Sequence, residues 1–377
     1  MDMRTGFDLA EALGLLEESG LDCAVVTSHD NVYYTTHSKI MTISMPKRLA
    51  AAFLPLDGDP TFVVHANEIV TARNTTWIGD LRVYEGGEWE PLKPIGFVAG
   101  ILEEKGLARG RIGVELLDIP ALCMERLREL LPEAEFVDCQ HVFDRLRSVK
   151  SPEELSHLAK ANMATAKAIT VAYEMAVPGD TEKEVAREMI SLATEYGADS
   201  VAFMTFGAGP NVFETHHTPG EYRIKEGDLL HVDFGAYFNG YLSDISRMAV
   251  VGEPDGDQLR AYEVSVGAEM ITAKALEPGA TVMEVHDAVR AYYESQGYEY
   301  TRAFIGHGLG IGCHEVPFLG PSHGDWLLEP GMFFQVEPSL TLGRARVHTE
   351  DSFVVQTRGG ARNVSEYRNI TELQRIR

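Results

Sequence analysis

Pro178 through Val185 reads P-G-x-T-x-x-E-V, and one hundred residues later Pro278 through Val285 reads the same. The echo continues downstream. His216-His217-Thr218-Pro219 is answered by His314-Glu315-Val316-Pro317, and the stretch from Gly227 to Asp233 by that from Gly331 to Glu337. Asp244, ahead of Met248-Ala249-Val250-Val251, is answered by Glu350, ahead of Phe353-Val354-Val355. Each half therefore offers two carboxylates and a histidine at matching places. A duplicated unit folded face to face would bring four carboxylates and several histidines to one pseudo-twofold axis. Such a cluster repels itself unless cations sit in it. The repeat alone thus predicts a metal site.

The rest of the chain bounds this reading. A length of 377 residues predicts two domains. A formal net charge of −24 argues against nucleic acid or an anionic membrane as partner. The cysteines Cys23, Cys123, Cys139 and Cys313 form no C-x-x-C, which argues against a thiolate zinc site. A disulfide framework is equally unexpected at this size, and a cytoplasmic location fits. Met1-Asp2-Met3-Arg4 runs into an acidic amphipathic helix rather than an apolar leader. No apolar run has the length of a membrane span.

Residues 1–148 read as an α/β domain. Asp8 is placed to cap a helix from Leu9 to Glu18, with Glu11 three residues on and Gly20 as the stop. Strands are expected over Asp22–Thr27, Arg48–Leu56, Thr61–His65 and Arg111–Glu115. A helix is expected from Asp118 to Leu131, with Pro120 in its first turn. Nothing in this half has catalytic spacing, so it reads as a scaffold or dimerisation domain. Residues 149–377 begin with Ser151-Pro152-Glu153-Glu154, a capping box with proline at the first helical position. A long helix to about Ala176 follows, then a second, boxed by Thr181 and Glu184 and ended by Gly197. The plan repeats from Gln258 to Ala275 and on to Ser295. Each half then turns into glycine-punctuated strands that carry the acids. Helices outside and one curved antiparallel sheet inside are the expected architecture.

The acids sit where acids are costly. Asp233 interrupts the apolar run Leu229–Phe234, and a buried carboxylate costs several kcal/mol unless paired or metal-bound. Asp244 follows across the hairpin signal Asn239-Gly240. Glu337 ends the apolar run that starts at Phe333, and Glu350 follows across another expected hairpin. His307 lies in Gly306-His307-Gly308-Leu309-Gly310, where the glycines let backbone approach closely. Singly, each acid would read as a turn or salt-bridge residue. Jointly, four acids and a histidine in a duplicated frame read as an oxygen-rich dinuclear site for hard or borderline divalent metals. The chemistry of such a site is hydrolysis, most naturally of an amide.

These segments resemble the pita-bread metallohydrolases, the group of methionine aminopeptidase, aminopeptidase P, prolidase and creatinase. The resemblance rests on Gly209-Pro210-Asn211, Lys225-Glu226-Gly227-Asp228, Asp233-Phe234-Gly235-Ala236, the run Gly240 to Arg247, Gly306 to Gly310 with His314-Glu315-Val316-Pro317, Val336-Glu337-Pro338, and Thr349-Glu350-Asp351. It covers residues from about 150 to 377, in order. The junction Arg147 to Glu154 and the N-terminal domain resemble the prolidase, aminopeptidase P and creatinase branch. The resemblance implies a pita-bread catalytic domain of α+β class with an internal pseudo-twofold repeat, behind a creatinase-type α/β domain. It implies two divalent ions per subunit (Mn, Co, Fe or Zn): Asp233 on one, His307 and Glu337 on the other, Asp244 and Glu350 bridging. It places His216 and His314 on the substrate, with Glu337 also serving proton transfer. His217, His348 and Tyr241 are further candidates for contact with the substrate. It also implies a homodimer.

The expected function is hydrolysis of Xaa-Pro bonds in short peptides, by a dipeptidase or an aminopeptidase P type of enzyme. Three departures bear on the substrate. His348 stands where the prolidase pattern has arginine, Val336-Glu337-Pro338-Ser339-Leu340 replaces Val-Glu-Pro-Gly-Ile-Tyr, and Thr215 replaces a proline before His216. A histidine does not reproduce a guanidinium fork, and Arg344 or Arg346 is the expected compensation. The alternative is a small-molecule C–N hydrolase, creatinase-like or ectoine-hydrolase-like, or a lyase on the same scaffold, acting on a small amide. A silent binding protein is disfavoured because all five ligand positions are present.

Overall fold

The computed structural model describes residues 5–40, 48–86, 90 and 92–377. The expectation for Met1–Arg4 falls outside them. The chain forms two compact units, Met1–Arg147 and Ser148–Arg377.

In the first unit α1 (Leu9–Glu18), β1 (Cys23–Val26), α2 (His29–Thr36), β2 (Ala51–Pro55), β3 (Thr61–His65), α3 (Ile69–Thr75), β4 (Asp80–Tyr84), α4 (Lys93–Glu104), β5 (Arg111–Val114), α5 (Ala121–Leu130), β6 (Glu135–Asp138) and α6 (Gln140–Ser148) follow in order. Asp8 caps α1 as expected, accepting from the amides of Ala10 and Glu11. The six strands make one mixed sheet in the order β4-β3-β2-β1-β5-β6. Its inner strands are buried on both faces: Cys23, Val25, Phe53 and Val63 pack with α4 and α5, while Ala24, Val26, Leu54 and Val64 are buried opposite. That explains why β1 to β3 read as apolar runs rather than alternations. The helix expected from Asp118 begins only at Ala121, and Pro120 is the extended residue before it. A residue preceding proline avoids the helical region, so Ile119 stays outside.

The second unit contains α7 (Pro152–Met175), α8 (Glu182–Glu195), β7 (Ser200–Ala208), β8 (Leu229–Phe238), β9 (Tyr241–Leu242), β10 (Ile245–Val251), α9 (Gly256–Ala275), α10 (Val282–Ser295), β11 (Gly306–Gly308), β12 (Phe333–Val336), β13 (Ser339–Leu342), β14 (Ala345–His348), β15 (Asp351–Val355), β16 (Ala361–Asn363) and β17 (Gln374–Ile376). All four helices start on capping boxes, at Ser151/Glu154, Thr181/Glu184, Asp255/Gln258 and Thr281/Glu284. The loops before the second helix of each half repeat matching backbone bonds. Gly179 N–H donates to Ile224 and Gly279 N–H to Leu328, both at 2.8 Å; Glu182 N–H donates to Tyr222 and Val282 N–H to Trp326, both at 3.0 Å.

The strands do not make one continuous antiparallel sheet. They form a first sheet, β17-β10-β8-β7 with β9 beside β8, a second, β11-β12-β15-β16, and a separate hairpin, β13-β14. The β10–β17 pair is parallel. An isolated antiparallel bridge between Ser246 and Glu350 links the first two sheets. Glu350 lies just ahead of β15, and Pro338, just past β12, has no amide to donate. Helix α7 buries Leu158, Ala161, Asn162, Thr165, Ala166, Ile169, Ala172 and Tyr173, a stripe of helical period. Two members of that stripe are polar, and both reach toward the acids.

Candidate metal centre

Asp233 lies inside β8, with Thr205 and Ser246 as its neighbours on β7 and β10. Asn239 and Gly240 both take positive φ in the expected tight turn. Asp244 falls just ahead of β10, diagonal to Asp233 rather than directly opposite, because Asp233 faces Ser246. Its amide donates to Asn162 Oδ1 at 2.9 Å. The neighbouring Ser243 hydroxyl is 2.7 Å from that of Thr165. The Asp244 carbonyl accepts from Gln335 Nε2, and Cys313 Sγ lies 3.3 Å from Asp244 Oδ2. Polar groups of α7, β12 and the 308–315 loop thus fix this one acid. Glu337 follows β12 and its amide donates to Ile305 at 2.8 Å; the Glu350 amide donates to Ser246 at 3.1 Å.

His307 is held from behind. Its Nδ1 is 2.9 Å from the Gly308 carbonyl, which can only accept, so Nδ1 carries the hydrogen and Nε2 presents its lone pair. Nε2 stands 3.8 Å from Asp244 Oδ2, from Glu337 Oε1 and from Glu350 Oε1. Ligand bonds of about 2.0–2.3 Å hold neighbouring donors roughly 3–4 Å apart. The glycines around His307 meet real neighbours. A Cβ on Gly310 would lie 2.5 Å from Glu315 Oε1, and one on Gly306 would strike the Gln335 carbonyl. Glu315 is in turn bonded by buried Lys150 Nζ at 3.0 Å.

The electrostatics ask for cations. Burial pushes the Asp233 carboxyl up to about 7, with Glu337 adding to the shift. Burial and the neighbouring acids push Asp244 and Glu350 well above the ordinary carboxylate range. Glu337 is also raised by burial, against the pull of Arg302. Burial lowers His307 to about 3, so it is neutral. Asp233 Oδ1 is buried without a hydrogen-bond partner. Four crowded carboxylates and one neutral imidazole lone pair suit hard or borderline divalent cations. Donor atoms of Asp244, His307 and His314 lie within 4.8 Å of one another, as do those of Asp233, His348 and Glu350.

The five predicted ligand residues come together in the wall of a cavity of about 340 Å³, which His216, His314, Phe203, Thr205 and Cys313 also line. The His314 ring stands edge-on to His307 at 4.3 Å, and burial lowers its pKa. Tyr241, His217 and His348 do not line this cavity. Tyr241 is not in the wall: it is buried, it donates to Glu154 Oε1 at 3.2 Å and it stacks on His157. That ties its hydroxyl to the start of α7. His217 is likewise turned away, with Nε2 on Glu182 at 3.0 Å and Nδ1 on Glu214 at 2.7 Å. His348 is buried behind Glu337, with Nε2 3.8 Å from Glu337 Oε2. Arg346 donates to Val212 and reaches Thr215, and Arg344 lines a separate cavity. Arg302, which no motif singled out, donates to Glu337 Oε2 at 2.7 Å. Asn162 had a signal, a polar residue in the apolar stripe of α7; Arg302 had none.

The fold and the donor cluster define a metal-dependent hydrolase. A model described as Metallopeptidase family M24 matches residues 156–357, and one described as Creatinase/Prolidase N-terminal domain matches residues 9–149. The "Probable dipeptidase PepE" of Mycobacterium tuberculosis is 32% identical over 95% of this chain and 93% of its own length. The "Xaa-Pro dipeptidase" of Lactobacillus helveticus is 29% identical over 91% of this chain and 93% of its own. The crystal structure of dipeptidase PepE from Mycobacterium ulcerans superposes with a TM-score of 0.85 at 29% identity, covering 98% of this chain and 96% of that one. The chain belongs to metallopeptidase family M24. It is a metal-dependent peptidase of pita-bread fold with divalent metal cofactors. Among the described residues no helix is long and apolar enough to cross a membrane.

Proposed function

We propose that this enzyme cleaves Xaa-Pro bonds of short peptides, using two divalent ions held by Asp233, Asp244, His307, Glu337 and Glu350. The observation that carries the reading is His307 Nε2 at 3.8 Å from three different carboxylates, in a cavity that His216 and His314 also line. The proline preference draws on the relative from Lactobacillus helveticus. Bound ions would supply Lewis-acid activation of water and neutralise the acids, and Mn, Co, Fe or Zn would suit this donor set. His314 and His216 donate hydrogen bonds to the scissile carbonyl oxygen as it gains charge. Glu337 accepts a proton from the attacking water and returns it to the leaving imide nitrogen. An Xaa-Pro bond has no amide hydrogen, so the site need not satisfy one in the ground state. The cavity volume of about 340 Å³ suits a dipeptide-sized ligand.

The test is a screen of the metal-loaded enzyme on Xaa-Pro dipeptides, longer X-Pro peptides, dipeptides without proline, creatine and cyclic amidines. Hydrolysis concentrated on Xaa-Pro dipeptides is expected. Turnover confined to the small amides would replace this reading with the C–N hydrolase. A homodimer belongs to the same proposal. A fully active monomer in sedimentation would remove it.

A further inference from the structure

Arg302 sits in the loop between α10 and β11, outside every sequence motif. Its Nη2 donates to Glu337 Oε2 at 2.7 Å and its Nη1 to the Glu337 backbone carbonyl at 2.8 Å. The same Nη1 is 3.3 Å from Ser339 Oγ and 3.3 Å from His348 Nδ1. One guanidinium therefore grips the main chain and the side chain of a single acid. The two oxygens of that acid are divided between neighbours, Oε2 on Arg302 and Oε1 facing His307 Nε2 at 3.8 Å.

We propose that Arg302 is a positioning residue for Glu337. It clamps the carboxylate so that Oε1 alone is offered to the metal cluster, with His348 as the imidazole wall against which the guanidinium rests. The inference builds on the reading that Glu337 binds metal. Its geometry stands on Arg302 itself. Donation from Nη1 to His348 Nδ1 leaves the remaining ring hydrogen on Nε2, on the side of Glu337 Oε2 at 3.8 Å. The imidazole fills space beside the acid, and the fork supplies the charged bonds. An ammonium does not reproduce the parallel fork that reaches Glu337 Oε2 from one nitrogen and the Glu337 carbonyl from the other, because its donors radiate from one point. The position is also well placed for a swap: a guanidinium issuing from residue 348 would enter the same space beside Oε2.

The experiment titrates Mn²⁺ into chelator-stripped protein by calorimetry, for the wild type, Glu337→Ala, Arg302→Met, Arg302→Lys and the double variant Arg302→Met/His348→Arg. Thermal unfolding in chelator is measured for each. Arg302→Met is expected to weaken binding of one ion 10- to 100-fold, the range for lost groups behind a ligand. Arg302→Lys is expected to recover only part of this, and His348→Arg most of it, with little change in the chelated unfolding temperature. If Glu337→Ala binds Mn²⁺ as the wild type does, the metal reading of Glu337 is wrong. If Glu337→Ala loses metal but Arg302→Met or Arg302→Lys matches the wild type, the clamp alone is overturned. A loss in Arg302→Met that follows the chelated unfolding temperature and is not restored by His348→Arg also overturns it. Should Arg302→Met fail to fold, Arg302→Lys and the double variant decide the matter.

Discussion

The Glu350 amide donates to the Ser246 carbonyl at 3.1 Å, and through this bond the two halves of the repeat meet at their acids. Ser246 returns a bond from its hydroxyl to the His348 carbonyl at 3.0 Å. Asp244 lies two residues before Ser246, so the bridge sets the separation of the two acids assigned the bridging role. Crowding acids where two sheets meet is unfavourable without counter-charge, and that is what makes this seam a place for cations.

Replacement of Asp244 by alanine tests the cluster at this seam. The variant is expected to retain its secondary structure and to lose at least one ion and most of its turnover. Elemental analysis of the dialysed protein, with circular dichroism as the control for folding, gives the answer. A variant that keeps both its metal content and its turnover would show that the ligand assignment is wrong.

His314 separates two roles that the geometry allows. It lines the cavity, which suits a substrate donor, and its ring nitrogen lies within 4.8 Å of donor atoms on Asp244 and His307. His314→Ala is expected to keep its metal and lose about 10²-fold or more in turnover, the usual scale for a lost acid or oxyanion donor. Loss of metal in that variant would move His314 into the ligand set.

Sequence patterns reached the helices and the acids because both signals are local. A capping box needs four consecutive residues, and the repeat showed each acid twice. Asp255/Gln258 is the same device, yet it placed the start of α9 two residues before the expected Gln258. α2, with the sequence HDNVYYTT, is made of residues poor in helix propensity, and α4 carries Pro94, Gly96 and Gly100. Tertiary packing overrides both. β4 is only partly buried, so no apolar run announced it. The break into separate sheets depends on pairing between Ser246 and Glu350, one hundred and four residues apart. Arg302 meets Glu337 thirty-five residues on, from a loop with no period. Contacts of that kind leave no mark in spacing.

Arg247 is expected to matter for stability more than for chemistry. Its Nη1 donates to the Glu350 carbonyl and its Nη2 to Asp351 Oδ1, each at 2.7 Å. Both partners of this ion pair are largely buried, at 14% and 1% side-chain exposure. Removing the cation leaves the buried Asp351 carboxyl without its ion-pair partner, a loss of about 3–5 kcal/mol. Arg247→Met is expected to lower the urea midpoint of the metal-free protein accordingly. A change below about 1 kcal/mol would place the pair with ordinary surface bridges.

His217 gives the His216 loop a dependence on pH. Glu182, fully buried, accepts from the Ala208 amide at 2.8 Å, from Asn211 Nδ2 at 2.9 Å and from the Gly220 amide at 3.0 Å. Its fourth partner is His217 Nε2, while Nδ1 of the same ring meets Glu214. Both nitrogens donate only when the ring is charged. Burial works against that charge, but the hydrogen bonds to Glu214 and Glu182 outweigh it and raise the pKa above 6.5. The folded state then holds the proton more tightly than the unfolded one. The stability His217 adds is therefore fully present below pH 6.5 and is lost as pH rises through the elevated value. The difference in urea midpoint between the wild type and His217→Gln is expected to shrink from pH 6 to pH 8.5. A ring titration by NMR is expected to place His217 above 6.5, and to move it down in Glu214→Gln. An apparent pKa at or below 6.5 in the wild type would mean that the two carboxylates do not hold the ring charged.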